Sequence, residues 1–292
     1  MKKIEEWIGQ ADGKNEKDFR QVIHMILVAI SRDKNLSHTL VIKGGIVMSL
    51  VYGGDRYTSD LDASSLDKPS DLTMDKLNTI LGRQLKAVIA TSEYNLDCKI
   101  HSIKPQPSKK SFPNASFPAY KVKIGYADKS QPSEMKQLAS SNASHTVEVD
   151  ISFNETVTVE DIDAFQLNEK QNVLYYNLEQ IMAEKFRSLL QQPVRRRNRR
   201  QDVFDLHHLL QEYDDHFRNA ETKSLVLEKL IKSSIGRGLD AYLHQKGMLD
   251  PEVRKRSLED VSTLEQEVEI KENIETMYDM VSDYFQSLPW DD

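Results

Sequence analysis

Residues 41–62 read Val-Ile-Lys-Gly-Gly-Ile-Val-Met-Ser-Leu-Val-Tyr-Gly-Gly-Asp-Arg-Tyr-Thr-Ser-Asp-Leu-Asp, which predicts a strand, a glycine pair, a short helix and a second strand. Side chains alternate between the two faces of a strand, so Asp60 and Asp62 should point the same way. Two such carboxylates can hold Mg²⁺, which proteins usually bind through one or two carboxylates together with substrate phosphates. Gly44 and Gly45 precede a helix N-terminus, where a phosphate can approach backbone amides without hindrance from a Cβ. Together these features predict the machinery of nucleotidyl transfer.

Each part of this pattern has a structural explanation when taken alone. Gly-Gly is common at strand–helix junctions, and Asp-Leu-Asp can be a solvated strand end. Their order and spacing favour the catalytic interpretation. The segment resembles the first motif of the polymerase-β-like nucleotidyltransferases, in which Gly-Gly or Gly-Ser is followed by Asp-x-Asp roughly ten to fifteen residues later.

A later segment, residues 145–154, alternates apolar and polar side chains as a half-buried strand does. Val149 and Ile151 lie on one face of this predicted strand and Asp150 on the other. In the polymerase-β-like pattern a third carboxylate arrives on a later, adjacent strand between two apolar residues, and Asp150 fits that description. The alternative is a solvent-facing aspartate on an edge strand.

Composition indicates a soluble globular chain. The sequence has 292 residues, of which 39% are hydrophobic and 29% charged, enough for one large domain or two ordinary ones. The longest apolar stretch, residues 22–30, is too short to span a bilayer, and glutamates at positions 5 and 6 exclude a signal-peptide pattern. The single cysteine, Cys98, cannot form an internal disulfide. We therefore expect a cytoplasmic protein without membrane contact.

Positive charge is concentrated in one place, although the net charge is −7. The stretch 183–200 is strongly basic and contains one acidic residue, Glu184. Such a distribution steers a polyanion to one site. The arginines that we expect to bind RNA are Arg195, Arg196, Arg197, Arg199 and Arg200. A solvated loop between two helices is the alternative.

Apolar spacing divides the chain into an α/β part and a helical part. The α/β part has predicted helices at 16–32, 45–52 and 72–91, strands at 39–43, 58–63, 96–103, 119–126 and 145–154, and loops at 104–118 and 127–144. The second part has predicted helices at 177–192, 200–214, 221–235, 252–261 and 264–287. We place the boundary near residue 170, which assigns 1–170 to a nucleotidyltransferase core and 171–292 to a helical domain.

A second motif lies in the predicted helical domain. Glu184-Lys185 on one helix is followed by the basic loop and then by Asp202-Val-Phe-Asp205-Leu206 on the next helix. With the first motif, this order resembles the AbiEii/AbiGii toxin family of nucleotidyltransferases over residues 40–210. The family usually has a basic residue immediately before the first aspartate, where this sequence has Gln201.

The chemistry of this second motif can also be read from its residues. Lys185 lies among apolar neighbours and needs an anion, which a triphosphate can supply. Asp202 and Asp205 are three positions apart on a helix and share a face. They could orient Lys185, bind ribose hydroxyls or accept a proton from the attacking hydroxyl. A structural Lys–Asp pair joining two helices is the alternative.

The resemblance implies an α/β (α+β) fold, with a polymerase-β-like core containing a mixed sheet and a C-terminal helical domain. It also implies a Mg²⁺-dependent toxin, with two ions, that transfers NMP from an NTP to RNA. The acceptor would be the tRNA 3′ end, translation would be blocked, and a cognate antitoxin would complete a toxin–antitoxin or phage-defence pair. The implied metal ligands are Asp60, Asp62 and Asp150, and the further catalytic residues are Lys185, Asp202 and Asp205. The implied nucleotide contacts are Lys43, Gly44, Gly45, Arg56, Thr58, Ser59 and Lys185.

Three other functions are compatible with parts of this pattern. A small-molecule nucleotidyltransferase of the aminoglycoside-modifying type shares the first motif but does not need the basic loop. A metal-dependent ribonuclease could use the same carboxylates and would need no NTP. A catalytically silent RNA- or partner-binding module would be free to lose Asp60, Asp62 and Asp150, all of which are present.

Overall fold

The computed structural model describes residues 4–259, 264, 269 and 272–290. Contacts along the chain separate two compact units. The first consists of residues up to Gly53 together with Thr58–Tyr176, and the second of Gly54–Tyr57 together with residues from Asn177 onward. The sheet of the first unit extends to Tyr176, past the boundary that the sequence suggested near residue 170.

A seven-stranded mixed sheet forms the centre of the first unit, with strand order β3-β4-β5-β2-β1-β7-β6. The strands are β1 Leu40–Lys43, β2 Asp60–Ser65, β3 Leu96–Gln106, β4 Ala119–Asp128, β5 His145–Ser152, β6 Ile162–Asn168 and β7 Gln171–Tyr176. The β1–β7 and β2–β5 pairs are parallel, and the other neighbours are antiparallel. The predicted fold class, a mixed sheet followed by C-terminal helices, is confirmed.

The described residues of the first unit also form six α-helices. They are α1 Ile4–Gly9, α2 Gly13–Arg32, α3 Lys34–Thr39, α4 Gly44–Leu50, α5 Met74–Thr91 and α6 Pro132–Ala139. The apolar face of α2, which includes Val22 and Ile26, is completely buried. On β5, Val147 and Val149 are buried while the intervening Glu148 is partly exposed. Burial of alternate residues therefore fixes which face of the sheet carries the polar side chains.

In its described residues, the second unit is built from helices. They are α7 Leu178–Leu190, α8 Gln192–Arg195, α9 Arg200–Glu212, α10 Asp214–Arg218, α11 Ala220–Ser234, α12 Pro251–Leu258 and α13 Ile274–Gln286. Asn177 caps α7 by accepting a hydrogen bond from the backbone of Gln180, as expected for an N-cap residue. Phe186 and Phe285 pack with ring centroids 5.3 Å apart in the core of this unit.

Several predicted elements were wrong or incomplete. Residues 127–144 are not a loop throughout, because they contain α6, which begins at Pro132. Strands β6 and β7 were not predicted, and β3 continues to Gln106, into the segment 104–118 predicted as a loop. The last helix is described from Ile274 rather than from 264, and parts of the predicted helices 252–261 and 264–287 lie outside the described residues. Within the described part of the chain, no helix has the length and apolarity to cross a membrane.

Candidate active site

Four charged residues form one row across neighbouring strands of the sheet. Asp62 pairs with Lys43 on β1 and with Asp150 on β5, and Asp150 pairs with Lys121 on β4. Directly paired residues of adjacent strands project on the same side of a sheet. Asp60, two positions before Asp62, shares this face. The structure therefore brings all three predicted carboxylates to one face, with a lysine at each end of the row.

Gly44 lies directly against the carboxylate of Asp62. Its φ angle is +72°, in the left-handed region, and a Cβ built on it would collide with Oδ2 of Asp62 and lie 3.1 Å from the Cβ and Cγ atoms of that residue. Glycine is the only residue that meets both requirements without strain. The first glycine of the Gly44-Gly45 pair thus allows β2 and the start of α4 to approach closely.

The lysine beside this turn is buried and compensated. Lys43 is 6% exposed. Its Nζ atom is 3.7 Å from Oε1 of Glu155 and lies over the ring of Tyr176, 5.6 Å from the centroid. Lys43 is therefore held within the first unit at the predicted phosphate-binding turn.

Hydrogen bonds and neighbouring charges act on the acidic residues of this face. Lys121 Nζ donates to Oε2 of Glu148 at 2.7 Å and lies 3.9 Å from Oδ2 of Asp150. Burial raises the pKa of Asp150; Lys121 opposes this increase, and the charges of Asp60 and Glu148 add to it. Thr58 donates its hydroxyl hydrogen to Oδ1 of Asp60 at 3.0 Å, which holds that carboxylate in place. Thr58 is buried, whereas its neighbour Ser59 is exposed.

The carboxylates on this face fit a hard cation by their donor chemistry. Oxygen ligands are the ones that Mg²⁺ takes, and it usually keeps several waters and binds substrate phosphates in addition. Among the described residues no three His, Cys, Asp or Glu side chains are gathered into a ready metal site. Asp60, Asp62 and Asp150 therefore share one face of the sheet, but their side chains are not gathered into a metal site.

In the second unit, Lys185 on α7 lies between the two predicted aspartates of α9. Its Nζ atom donates to Oδ2 of Asp205 at 2.5 Å and to Oδ1 of Asp202 at 3.1 Å. Burial alone would lower the pKa of Lys185, but Asp205 and Asp202 outweigh it, so this pKa is raised. The anion that a buried lysine requires is thus provided by the protein itself.

Arg56 completes this cluster from the segment Gly54–Tyr57. Its guanidinium group contacts both carboxylate oxygens of Asp205, with Nε and one terminal nitrogen each 3.3 Å away. Burial would raise the pKa of Asp205, but Arg56 and Lys185 together lower it to about 2. Asp205 is therefore a buried, ionised group that holds two cations. The sequence identified Arg56 as a candidate but gave no sign of its partner.

Arg199 brings a basic group to Asp202, although the residue directly before this aspartate is Gln201. Its Nε atom lies 3.2 Å from Oδ2 of Asp202, although Arg199 is three positions before that aspartate. Sequence reasoning also missed Lys121, Glu148 and Glu155. The alternation of β4 places Lys121 on the face of Asp150, but this becomes visible only when the register of β4 and β5 is known.

Comparisons with known proteins found a matching family model and similar solved structures. The family model described as "Nucleotidyl transferase AbiEii toxin, Type IV TA system" matches residues 26–291. Among solved structures, JHP933 from Helicobacter pylori is 17% identical with a TM-score of 0.49, covering 94% of this chain and 95% of that chain. A nucleotidyltransferase toxin from Mycobacterium tuberculosis H37Rv, MenT4, is 13% identical with a TM-score of 0.47, covering 97% and 96%. No curated protein matches the sequence significantly.

The family match covers almost the whole chain and includes both motifs described above. An NTP substrate and an antitoxin partner follow from the family. The chain belongs to the AbiEii family of nucleotidyltransferase toxins of type IV toxin–antitoxin systems.

Proposed function

We propose that this nucleotidyltransferase transfers NMP from an NTP to an RNA acceptor in a Mg²⁺-dependent reaction, and that the acceptor is the 3′ end of tRNA. The observation that carries the reaction type is the face of the sheet on which Asp60, Asp62 and Asp150 stand together, with Gly44 pressed against Asp62. A loss of aminoacylation and a stop in translation would follow from a blocked 3′ end.

In this proposal the acceptor hydroxyl oxygen attacks the α-phosphorus of the NTP. The bond between the α-phosphorus and the bridging oxygen breaks, pyrophosphate leaves, and the hydroxyl proton passes to Asp150 or to solvent. Asp60, Asp62 and Asp150 would hold Mg²⁺, which when bound neutralises phosphate charge and lowers the pKa of the attacking hydroxyl. The backbone N–H groups after Gly44 and Gly45 would donate hydrogen bonds to phosphate oxygens.

Within the first unit, Lys43 is the proposed source of positive charge for the triphosphate. Lys43 is the last residue of β1, directly before the glycine pair, and Thr58 and Ser59 precede Asp60 in the chain. Arg56 and Lys185 stay predicted nucleotide contacts of the second unit, in which Asp202 and Asp205 set the orientation of both cations through the contacts described above.

The proposed acceptor is supported by the arginine-rich loop between α8 and α9. Phosphate contacts from arginines give sequence-independent affinity for RNA, which a drug-sized acceptor would not require. This loop favours RNA over the aminoglycoside-type alternative.

The experiment is to incubate the purified protein with each of the four α-labelled NTPs, Mg²⁺ and total RNA, and to separate the products by size. We expect one nucleotide to label a tRNA-sized band, and no label with Asp62→Asn. A matched control is Asp163→Asn, an exposed aspartate on β6 of the same sheet, which should leave labelling unchanged. RNA that becomes shorter without NTP would establish the ribonuclease alternative, and no labelling of RNA with any NTP would refute the proposal.

A further inference from the structure

The arginine-rich loop is held in one conformation by a buried glutamine. Gln192, which is 1% exposed, accepts a hydrogen bond from the backbone N–H of Arg199 at 2.7 Å through Oε1. Its Nε2 atom donates to Oγ of Ser257 on α12 at 2.7 Å. Its carbonyl oxygen accepts from the N–H of Arg197 at 3.2 Å. Gln192 thus fastens the loop at two points, Arg197 and Arg199, and is itself anchored to α12, so the loop is not a freely solvated connection.

The backbone within this loop is also unusual. Arg196 has φ +52° and ψ +47°, the left-handed conformation that glycine or asparagine usually takes at a helix end. A non-glycine residue in this region costs about 1 kcal/mol or more and persists only where the surroundings enforce it. The hydrogen bonds that Gln192 accepts from the N–H groups of Arg196, Arg197 and Arg199 provide that enforcement.

A second basic segment packs against this loop from the end of α11. The side chain of Gln191 donates to the carbonyl of Arg237 at 3.5 Å, and a Cβ on Gly238 would lie 3.9 Å from Val194. Arg237 is 8% exposed, and its Nε atom donates to the carbonyl of Ser233 at 2.9 Å. Two chain segments far apart in sequence thus lie side by side, with Arg195 on one and the largely buried Arg237 on the other.

Arg195 is the residue whose charge this arrangement leaves uncompensated. No carboxylate within the described ranges forms an ion pair with it. Partial burial, and then the charges of Arg237, Arg187 and Arg197, lower the pKa of Arg195 to about 10. By contrast, Arg187 has a carboxylate partner, Glu184, at 2.9 Å. An exposed guanidinium group among like charges favours an anion as its neighbour.

We propose that Arg195, together with Arg197 and Arg237, forms a preorganised seat for a backbone phosphate of the acceptor RNA. The forked guanidinium group suits a phosphate, which it can contact through two parallel N–H···O bonds. The seat reads no base, so it positions the RNA without selecting its sequence. Only the naming of RNA as the source of the phosphate rests on the proposed function.

The proposed phosphate seat predicts two measurable changes in the variant Arg195→Gln. Loss of a charge-assisted contact should weaken RNA binding about tenfold and reduce the slope of log K against log[salt] by about 0.7–0.9. Because the side chain is repelled by its neighbours, the variant should also have a higher Tm than the wild type at low salt. A solvated arginine predicts neither change.

The test is fluorescence anisotropy with a labelled tRNA at several salt concentrations, run beside thermal unfolding of the same proteins. Arg218→Gln serves as the control, because Arg218 is exposed and paired with Asp214 within α10 at 2.8 Å. Inorganic phosphate should raise the Tm of the wild type more than that of Arg195→Gln, and should compete with RNA if both occupy one seat. If phosphate stabilises the wild type but does not compete with RNA, the phosphate that binds at Arg195 does not come from RNA, and this part of the proposal is overturned.

Failure of this inference can be told from failure of the proposed function. If Arg195→Gln and Arg218→Gln bind RNA equally well with the same salt slope, the phosphate seat is refuted even though RNA is labelled by NTP. If Arg195→Gln loses affinity while the wild type labels no RNA, the seat stands and the proposed reaction is refuted.

Discussion

Replacing Gly44 by alanine tests the close contact between Gly44 and the carboxylate of Asp62 in the candidate active site. The new Cβ would collide with the carboxylate of Asp62, so the side chain or β2 itself would have to move. The left-handed backbone adds a cost of about 1–2 kcal/mol for any residue with a Cβ. For a chain of this size, 1 kcal/mol lowers the Tm by about 2–4 °C.

The matched variant Gly13→Ala separates the cost of backbone strain from the effect of the collision with Asp62. Gly13 has φ +81°, close to the +72° of Gly44, but a Cβ on Gly13 would meet nothing within 4 Å. Gly13→Ala should therefore lose a similar amount of stability from backbone strain and keep full activity. Gly44→Ala should lose this stability and also about 10²–10⁴ in kcat, because a displaced metal-binding carboxylate no longer stabilises the transition state.

The assay is pyrophosphate release with Mg²⁺, NTP and RNA, with the Tm of each protein measured in the same buffer. Equal kcat for Gly44→Ala and Gly13→Ala would refute the reasoning, because the contact with Asp62 would then have no part in the reaction. Loss of activity in both variants would point to a general effect of backbone strain instead.

Three further predictions concern the charged residues. Asp60→Asn should reduce transfer by about 10²–10⁴ or more in a labelling assay with the Tm nearly unchanged, and near wild-type transfer would rule out a metal-ligand role. Lys185→Met leaves Asp202 and Asp205 buried without this cation and should lower the free energy of unfolding by about 3–5 kcal/mol in urea titrations, a loss that Lys185→Arg should not restore. The pKa of Asp205 is lowered to about 2, so its contribution to stability is present above the unfolded-state pKa near 4 and is lost as the pH falls towards 2. The stability difference between wild type and Asp205→Asn should shrink over that range, and a constant difference would contradict the assigned pKa.

Local pattern was enough to predict the elements that carry the carboxylates. The alternation on β5 placed Val147 and Val149 in the core and Asp150 on the other face, and burial follows this pattern. Helix periodicity similarly located α2, α7 and α9. Each of these elements buries one side against the core of its own unit, so the spacing of its apolar residues predicts which side is buried.

Features that depend on register or on distant partners were not predictable. The row from Lys121 to Lys43 requires four strands in a fixed register, which no local pattern records. The pairing of Arg56 with Asp205 joins residues 149 positions apart. The small helix α6 was hidden in a polar stretch because only Leu138 of it is buried.

The mass of the RNA acceptor after reaction tests the central claim most directly. Purified tRNA would be incubated with the protein, Mg²⁺ and unlabelled NTPs, and its intact mass measured before and after. A gain equal to one or more nucleotide residues, absent with Asp62→Asn, is the result that transfer through the carboxylates of β2 predicts. An unchanged or smaller mass of the tRNA with active protein would contradict it.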